Sequence, residues 1–261
     1  MRENKLRQLL DAGKPSICVR VNTVWPDVVE WIGQMKFYDY IEFAAEYGPY
    51  DLHDLDNFCR ACELHNLSPM IKIDQASRCY FAQRAIGAGF QSVLFTDCRT
   101  VEEVTHCVQV CRPDTPEDKG LFGAAARRFA YDSSGTDEFS EYLRDVVVAV
   151  MVEKAALVEN LDAALSVPGV DMIQWGPGDY QMSSGIHTGR LSPEIRGVEE
   201  RVIKTALDKG IQPRAELTSL DGIEWYLERG VKHFRIGTDV NILRDFWSKN
   251  GEKLRGMVSS L

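Results

Sequence analysis

The chain has 261 residues, 44% hydrophobic and 26% charged, an ordinary globular composition and the length that one α/β barrel needs. With 39 acidic and 30 basic residues its net charge is −9, which repels an extended phosphate backbone and argues against a nucleic-acid partner. No apolar run approaches the roughly 20 residues of a membrane span, and the charged start MRENKLRQLLDAGK has no apolar signal-peptide core, so a cytoplasmic protein with no membrane partner is expected.

Short β-rich runs alternate with helical patterns along the whole length. In chain order the expected strands are SICVRVN (16–22), YDYIEFAA (38–45), SPMIKID (68–74), FQSVLF (90–95), VVVAVMVE (146–153), VDMIQWG (170–176), IQPRAEL (211–217) and VKHFRIG (231–237). Between them VVEWIGQM, LDNFCRACELH, YFAQRAIGAG, VEEVTHCVQVC, VEERVIKTALDKG and LDGIEWYLERG space their apolar residues as helices do. Gly89, Gly210 and Gly230 read as helix C-caps leading into strands. This punctuation predicts one (β/α)8 TIM barrel over residues 1–261, in preference to a doubly wound sheet, whose common GxGxxG turn is missing after the first strand. Two irregular stretches, 112–136 and 181–194, read as functional loops.

The seven cysteines are scattered through strands and helices and do not form a disulfide framework. Cys59 and Cys62 have CxxC spacing, but they lie in the helical pattern DLDNFCRACELHN with no second pair to complete a zinc site. Packing is the expected role.

In such barrels chemistry gathers at the C-terminal ends of the strands. Glu46, Lys72, Asp74, Asp97, Glu153, Asp179, Glu216 and Asp239 all fall there. Carboxylates crowded at one rim repel unless a cation intervenes, which points to a hard divalent ion, Mg²⁺ first with Mn²⁺ or Co²⁺ as substitutes. Glu153 and Asp179, on adjacent βα units, can share one octahedral ion and leave positions open for substrate. The competing role for any one of these acids is to cap the helix that follows.

The segments MVEKAALVENLDAAL (151–165) and GVDMIQWGPGDYQMSSG (169–185) resemble the metal-binding half of the HpcH/HpaI class II pyruvate aldolases, a family that includes 2-dehydro-3-deoxyglucarate aldolase and macrophomate synthase. NKLRQLLDAGKPSICVRVN (4–22), YDYIEFAAEY (38–47), LSPMIKID with AQRAIGAGFQSVLF, and RIGTDVNIL (235–243) extend the resemblance over nearly the whole chain. It implies a metal-dependent carbon–carbon lyase that cleaves or forms a 4-hydroxy-2-oxo acid from pyruvate and an aldehyde, through a metal-bound enolate. By the same resemblance Glu153 and Asp179 are the metal ligands, and Gly176, Pro177 and Gly178 form the turn that meets the substrate carboxylate. Glu46 is the acid near the metal-bound water. A homo-oligomer, often a hexamer built as a trimer of dimers, is also implied, with Phe246 and Trp247 of the last helix available for packing on a neighbour.

Three positions depart from the family pattern. Tyr47 stands where the family has its proton-transferring histidine, Ala44 where it has an acid, and Lys72 where it has an arginine for the enolate oxygen. Lys72, Tyr47 and Glu46 are therefore the catalytic candidates, and Lys72 has a second possible role as a Schiff-base nucleophile. A decarboxylase or carboligase acting on another 2-oxo acid, or a non-catalytic oxo-acid binder, are the alternatives these changes leave open. His187 or His53 could replace the missing histidine, and Arg127 with Arg128 could clamp an anion. Arg20 points either to the barrel mouth or to an inner layer, where it would need Glu42 or Glu216 as a partner. His65, His106 and His233 read as structural.

Overall fold

The computed structural model describes residues 2–124 and 135–259. Eight parallel strands close in sequence order: β1 (Ser16–Val21), β2 (Tyr40–Ala44), β3 (Ser68–Ile73), β4 (Ser92–Phe95), β5 (Val147–Val152), β6 (Met172–Trp175), β7 (Gln212–Leu217) and β8 (His233–Thr238). Every expected strand is present, with its ends within two residues of the expected ones. Ser16 pairs with His233 of β8 and Cys18 with Tyr40 of β2, which shuts the ring at β1. The protein is a (β/α)8 TIM barrel.

Side chains alternate between the two faces of each strand. The outward set, including Val19, Ile41, Ile71, Val93, Val148 and Ile173, packs beneath the helices in one large cluster. There Phe58 of α3 (Leu52–Leu64) stacks on Phe90, with centroids 5.5 Å apart. The helices start and stop where their end groups are satisfied. Asp51 and Asp54 form a capping box on α3, and Thr100 and Glu103 form another on α5 (Val101–Cys111). Gly89, Gly210 and Gly230 adopt the positive φ values (121°, 78° and 79°) that end α4 (Arg78–Ala88), α10 (Pro193–Asp208) and α11 (Ile223–Leu227).

The inward set is layered along the barrel axis. At the N-terminal end Leu6 of α1 (Lys5–Asp11) is fully buried against Cys18, Tyr40, Met70, Leu94, Val147 and Met172, plugging the barrel with apolar contacts. The site must therefore open at the other end.

Two irregular stretches differ from expectation. Residues 181–184 belong to α9 (Pro177–Ser184), because Pro177 sits in its first turn with φ already set, and Gly185 at φ 72° ends it. After α5 the chain returns through a bridge between Pro113 and Phe122, and α6 (Thr136–Arg144) buries Phe139, Tyr142 and Leu143 at helical spacing. Arg127 and Arg128 lie outside the described residues. All seven cysteines are free, with Cys59 and Cys62 buried on α3. Between β5 and β6 come α7 (Ala155–Glu159) and α8 (Leu161–Ala164), and the last helix, α12 (Asp239–Val258), buries none of its residues. No helix among the described residues is long and apolar enough to cross a membrane.

His233 is buried, with its Nδ1 2.8 Å from Ser16 Oγ. Burial, with Lys232 and Arg214 nearby, lowers its pKa to about 4 from an ordinary 6.5. Folding thus favours the neutral ring. The contribution is complete above about pH 6.5 and is lost as pH falls towards about 4, on the order of 3 kcal/mol. Denaturant titrations of His233→Gln are expected to show a drop in stability between pH 7 and pH 4 that is smaller than the parent's by that amount; equal drops would rule His233 out as the source.

Candidate active site

The period of two along each strand brings the charged residues of the inward set to one end. Lys72 follows Met70 on β3, Glu153 follows Met151 after β5, and Gly176 follows Gln174 after β6. Arg20, Arg214 and Glu216 occupy equivalent inward positions on β1 and β7. Together they line a cleft of about 430 Å³ that also takes in Tyr47, Pro177, Gly178 and Asp179. Of the expected catalytic, metal-binding and substrate-binding residues, only Glu46 is absent from the lining, and it stands behind Lys72 as its ion-pair partner.

The structure distributes the crowded acids unequally. Glu46 pairs with Lys72 and Glu216 with Arg235. Asp97 accepts from Lys154 Nζ at 2.5 Å. Asp239 takes the backbone N–H groups of Asn22 and Thr23 at 2.9 and 3.1 Å, tying the start of α12 to the end of β1. Asp74 lines a separate surface cleft with Tyr50 and Tyr80. What remains for the main cleft is Glu153 and Asp179.

Glu153 is 4% exposed. Its Oε1 accepts from the Asp97 N–H at 2.9 Å, and Oε2 has no hydrogen bond among the described residues. Burial pushes its pKa up to about 7, with Asp179 and Asp97 adding to the rise and Lys72 opposing it. Asp179, in the first turn of α9, accepts from Lys154 Nζ at 2.7 Å through Oδ1, and its Oδ2 is likewise free of partners among the described residues. It bonds no cap amide, so the helix-capping role does not account for it. Among the described residues no group of three or more His, Cys, Asp and Glu is placed to hold a metal ion. Two carboxylates with one uncommitted oxygen each, one of them buried beside further negative charge, nevertheless fit a hard divalent ion whose remaining positions go to water and substrate.

Lys72 is 4% exposed, with Nζ bonded to Glu46 and 2.9 Å from the Tyr47 hydroxyl. Burial alone would lower its pKa, but Tyr47 and Glu46 outweigh burial and hold the ammonium above its ordinary value. A protonated amine is no nucleophile, which weighs against the Schiff-base role. Tyr47 is half exposed, and both Lys72 and Arg20 lie over its ring, at 4.5 and 4.7 Å. Burial raises the phenol pKa and Glu46 adds to the rise, more than Lys72 lowers it. Tyr47 is thus a proton donor near neutrality, not a base. His187 and His53 are exposed and outside the cleft lining.

Several residues of the site do not stand out in the sequence. Lys154 bridges Asp97 and Asp179. Arg214, 3% exposed, bonds Glu42 and Gln174 below the cleft, and Arg235 pairs with Glu216 beside it. A signal for the two arginines does exist: Arg214 and Arg235 fall on the inward face of their strands, where an unpaired charge is untenable.

A closed parallel barrel whose strand ends deliver acids, a lysine and a tyrosine to one cleft is built as a barrel enzyme. Residues 26–245 match the family described as HpcH/HpaI aldolase/citrate lyase, so the chain belongs to that family and is an enzyme of the lyase class. It is 26% identical over 241 residues to a hydroxypyruvate/pyruvate aldolase of Agrobacterium fabrum, covering 91% of this chain and 88% of the relative. It is 23% identical over 254 residues to a 5-keto-4-deoxy-D-glucarate aldolase of an Enterobacter species, with 97% of each chain covered. Macrophomate synthase superposes with a TM-score of 0.82 at 20% identity, covering 98% of this chain and 91% of that one.

A Cβ at position 176 would lie 2.6 Å from both Cβ and Oε2 of Glu153, so the glycine lets the carboxylate sit against the turn. Gly176→Ala is expected to lower the unfolding free energy by about 1–3 kcal/mol, measured by chemical denaturation. Parent-like stability would show that Glu153 is not held there.

Proposed function

We propose that the protein is a divalent-metal-dependent aldolase that makes or breaks the C3–C4 bond of a 4-hydroxy-2-oxo acid, with pyruvate and an aldehyde as the smaller partners. The observation that carries the reading is the pair of uncommitted carboxylate oxygens on Glu153 and Asp179 at one side of the cleft. Membership of an aldolase family and the named aldolase relatives support it. Glu153 and Asp179 would hold the ion, Mg²⁺ in first place with Mn²⁺ or Co²⁺ as substitutes. When bound, it supplies Lewis acidity to the carbonyl and carboxylate oxygens of the 2-oxo acid.

The chain's own groups supply the rest. The amides of Gly178 and Asp179 in the first turn of α9 have no backbone acceptor among the described residues, and with the Gly176–Pro177 turn they form the receptor for the substrate carboxylate. Lys72, kept protonated, places fixed positive charge where the substrate oxygen becomes negative as C3 gains electron density. In the joining direction Glu46, behind Lys72 but 21% exposed, receives through water the proton that leaves C3, C3 attacks the aldehyde carbon, and the new hydroxyl takes its proton from Tyr47. Cleavage runs these transfers in reverse, with Tyr47 relaying the hydroxyl proton to Glu46 so that it stays a phenol. Lys72, bonded to both Glu46 and Tyr47, links the two proton sites.

The test is loss of deuterium from trideuteropyruvate, followed by NMR. Stripping metal is expected to stop exchange, and Mg²⁺, Mn²⁺ or Co²⁺ to restore it. Glu153→Ala and Asp179→Ala are each expected to slow it by at least about 100-fold. Folded protein that exchanges no deuterium with any of the three metals would remove the aldolase reading.

We also propose a homo-oligomer, in the manner of a hexamer built from dimers. Its support is α12, where Phe246 and Trp247 are each 64% exposed. Sedimentation at micromolar concentration is expected to give an assembly, and a monomer there would refute this.

A further inference from the structure

The arginines at the base of the cleft outnumber their carboxylates. Arg214 pairs with Glu42 and Arg235 with Glu216. Among the described residues Arg20 has no carboxylate of its own. Its nearest there is Glu42 Oε1 at 3.9 Å, beyond hydrogen-bond reach, and Glu42 already serves Arg214 through its other oxygen. Arg20 Nε is buried without a hydrogen bond among the described residues, and the side chain is only 15% exposed. A cation so far removed from water without a dedicated partner is poorly compensated.

The position of Arg20 indicates what would compensate it. In a ring closed in the order β1 to β8, β1 lies opposite β5. Arg20 therefore stands across the cleft from Glu153, with Lys72 of β3 between them, and all three line the same cavity. The Tyr47 ring lies 4.7 Å from the guanidinium carbon, which holds the group by cation–π attraction and leaves its edge donors available. Those donors form a planar fork matched to a carboxylate or a phosphate.

We propose that Arg20 selects the second substrate by binding an anionic group, carboxylate or phosphate, at the end of the aldehyde remote from its carbonyl. This rests on the aldolase reading of the site. The 2-oxo acid then occupies the Glu153 and Asp179 side, the new bond forms near Lys72 and Tyr47, and the tail of the aldehyde ends on Arg20. A neutral aldehyde of the same length leaves the guanidinium unserved, so discrimination comes from that unmet charge as much as from the ion pair itself.

The experiment compares kcat/KM for succinic semialdehyde with butanal, and for glyceraldehyde 3-phosphate with glyceraldehyde, each with pyruvate and Mg²⁺. The parent enzyme is expected to prefer the anionic member of one pair by about 30-fold, the size of one charge-assisted contact. Arg20→Met is expected to bring that ratio close to 1, and Arg20→Lys to leave an intermediate one. The pair that shows the preference identifies carboxylate or phosphate. No preference in the parent, or a ratio unchanged in both variants, overturns the proposal. Calorimetric titration with succinate and with glycerol 3-phosphate gives a reading independent of turnover: binding of one of them, weakened at least tenfold in Arg20→Met, supports the proposal, and equal or absent binding overturns it. If Arg20→Met does not fold, judged by circular dichroism, Arg20→Lys decides by the same criteria. Failure of deuterium exchange in the parent removes the aldolase reading, whereas normal exchange without anion preference removes only the role of Arg20.

Discussion

Arg214 and Glu42 meet in the middle of the barrel, each with a side chain 1% exposed. They come from β7 and β2, which are not neighbours in the ring, so the pair spans the interior and does not reinforce a strand edge. Gln174 from β6 and the Tyr40 hydroxyl from β2 add further acceptors to Arg214. Removing one member of such a pair strands a buried charge and costs about 3–5 kcal/mol, although a well-packed apolar pair could be as stable. What the ion pair provides is position: it separates the apolar plug around Leu6 from the polar cleft above.

The electrostatics of the cleft follow from that layer. Burial holds Glu42 in an environment that opposes its ionisation, yet Arg214, Arg235, Arg20 and Lys72 together bring its pKa down to about 2. Above it the acids divide into those answered by a cation or by backbone amides and those that are not. Lys72 answers Glu46, Arg235 answers Glu216, and Lys154 answers Asp97 while sharing Asp179. The imbalance that remains is local, with negative charge on the β5 and β6 side and positive charge on the β1 and β3 side. A substrate with a chelating oxo acid at one end suits that gradient.

Relatives at 23–26% identity share nearly the full length of the chain. Such divergence is tolerated because the outward faces of the strands require only apolar volume, which many sequences satisfy. The inward positions at the strand ends are under a different constraint, since each must place a particular group in the cleft. Lys72 on β3 contacts Tyr47, in the loop after β2, at 2.9 Å. With Glu46, the other partner of Lys72, the pair forms one connected unit.

Period-two apolar runs, helical spacing and glycine stops specify eight βα units without reference to contacts far along the chain, because these signals are local. The place of Glu153 and Asp179 is legible for a similar reason: they sit at or just after strand ends, and the barrel topology carries strand ends to one rim, whereas the Gly176–Pro177–Gly178 turn is legible only through the family resemblance of residues 169–185. The extent of α9 is not legible in the same way, because Pro177 permits both a turn and a helix start. Which acids stay uncommitted cannot be read from the sequence. Glu46, Asp97 and Glu216 have the same chemistry as Glu153, and only the placement of Lys72, Lys154 and Arg235, each 19 to 57 residues from the acid it neutralises, decides which of them keep a free charge. The orientation of Arg20 has the same status, since the strand pattern allows it the mouth or the inner layer. Sequence determines which groups reach the rim; charge pairing depends on separations of about 3–4 Å across the barrel, and those exist only once the ring has closed.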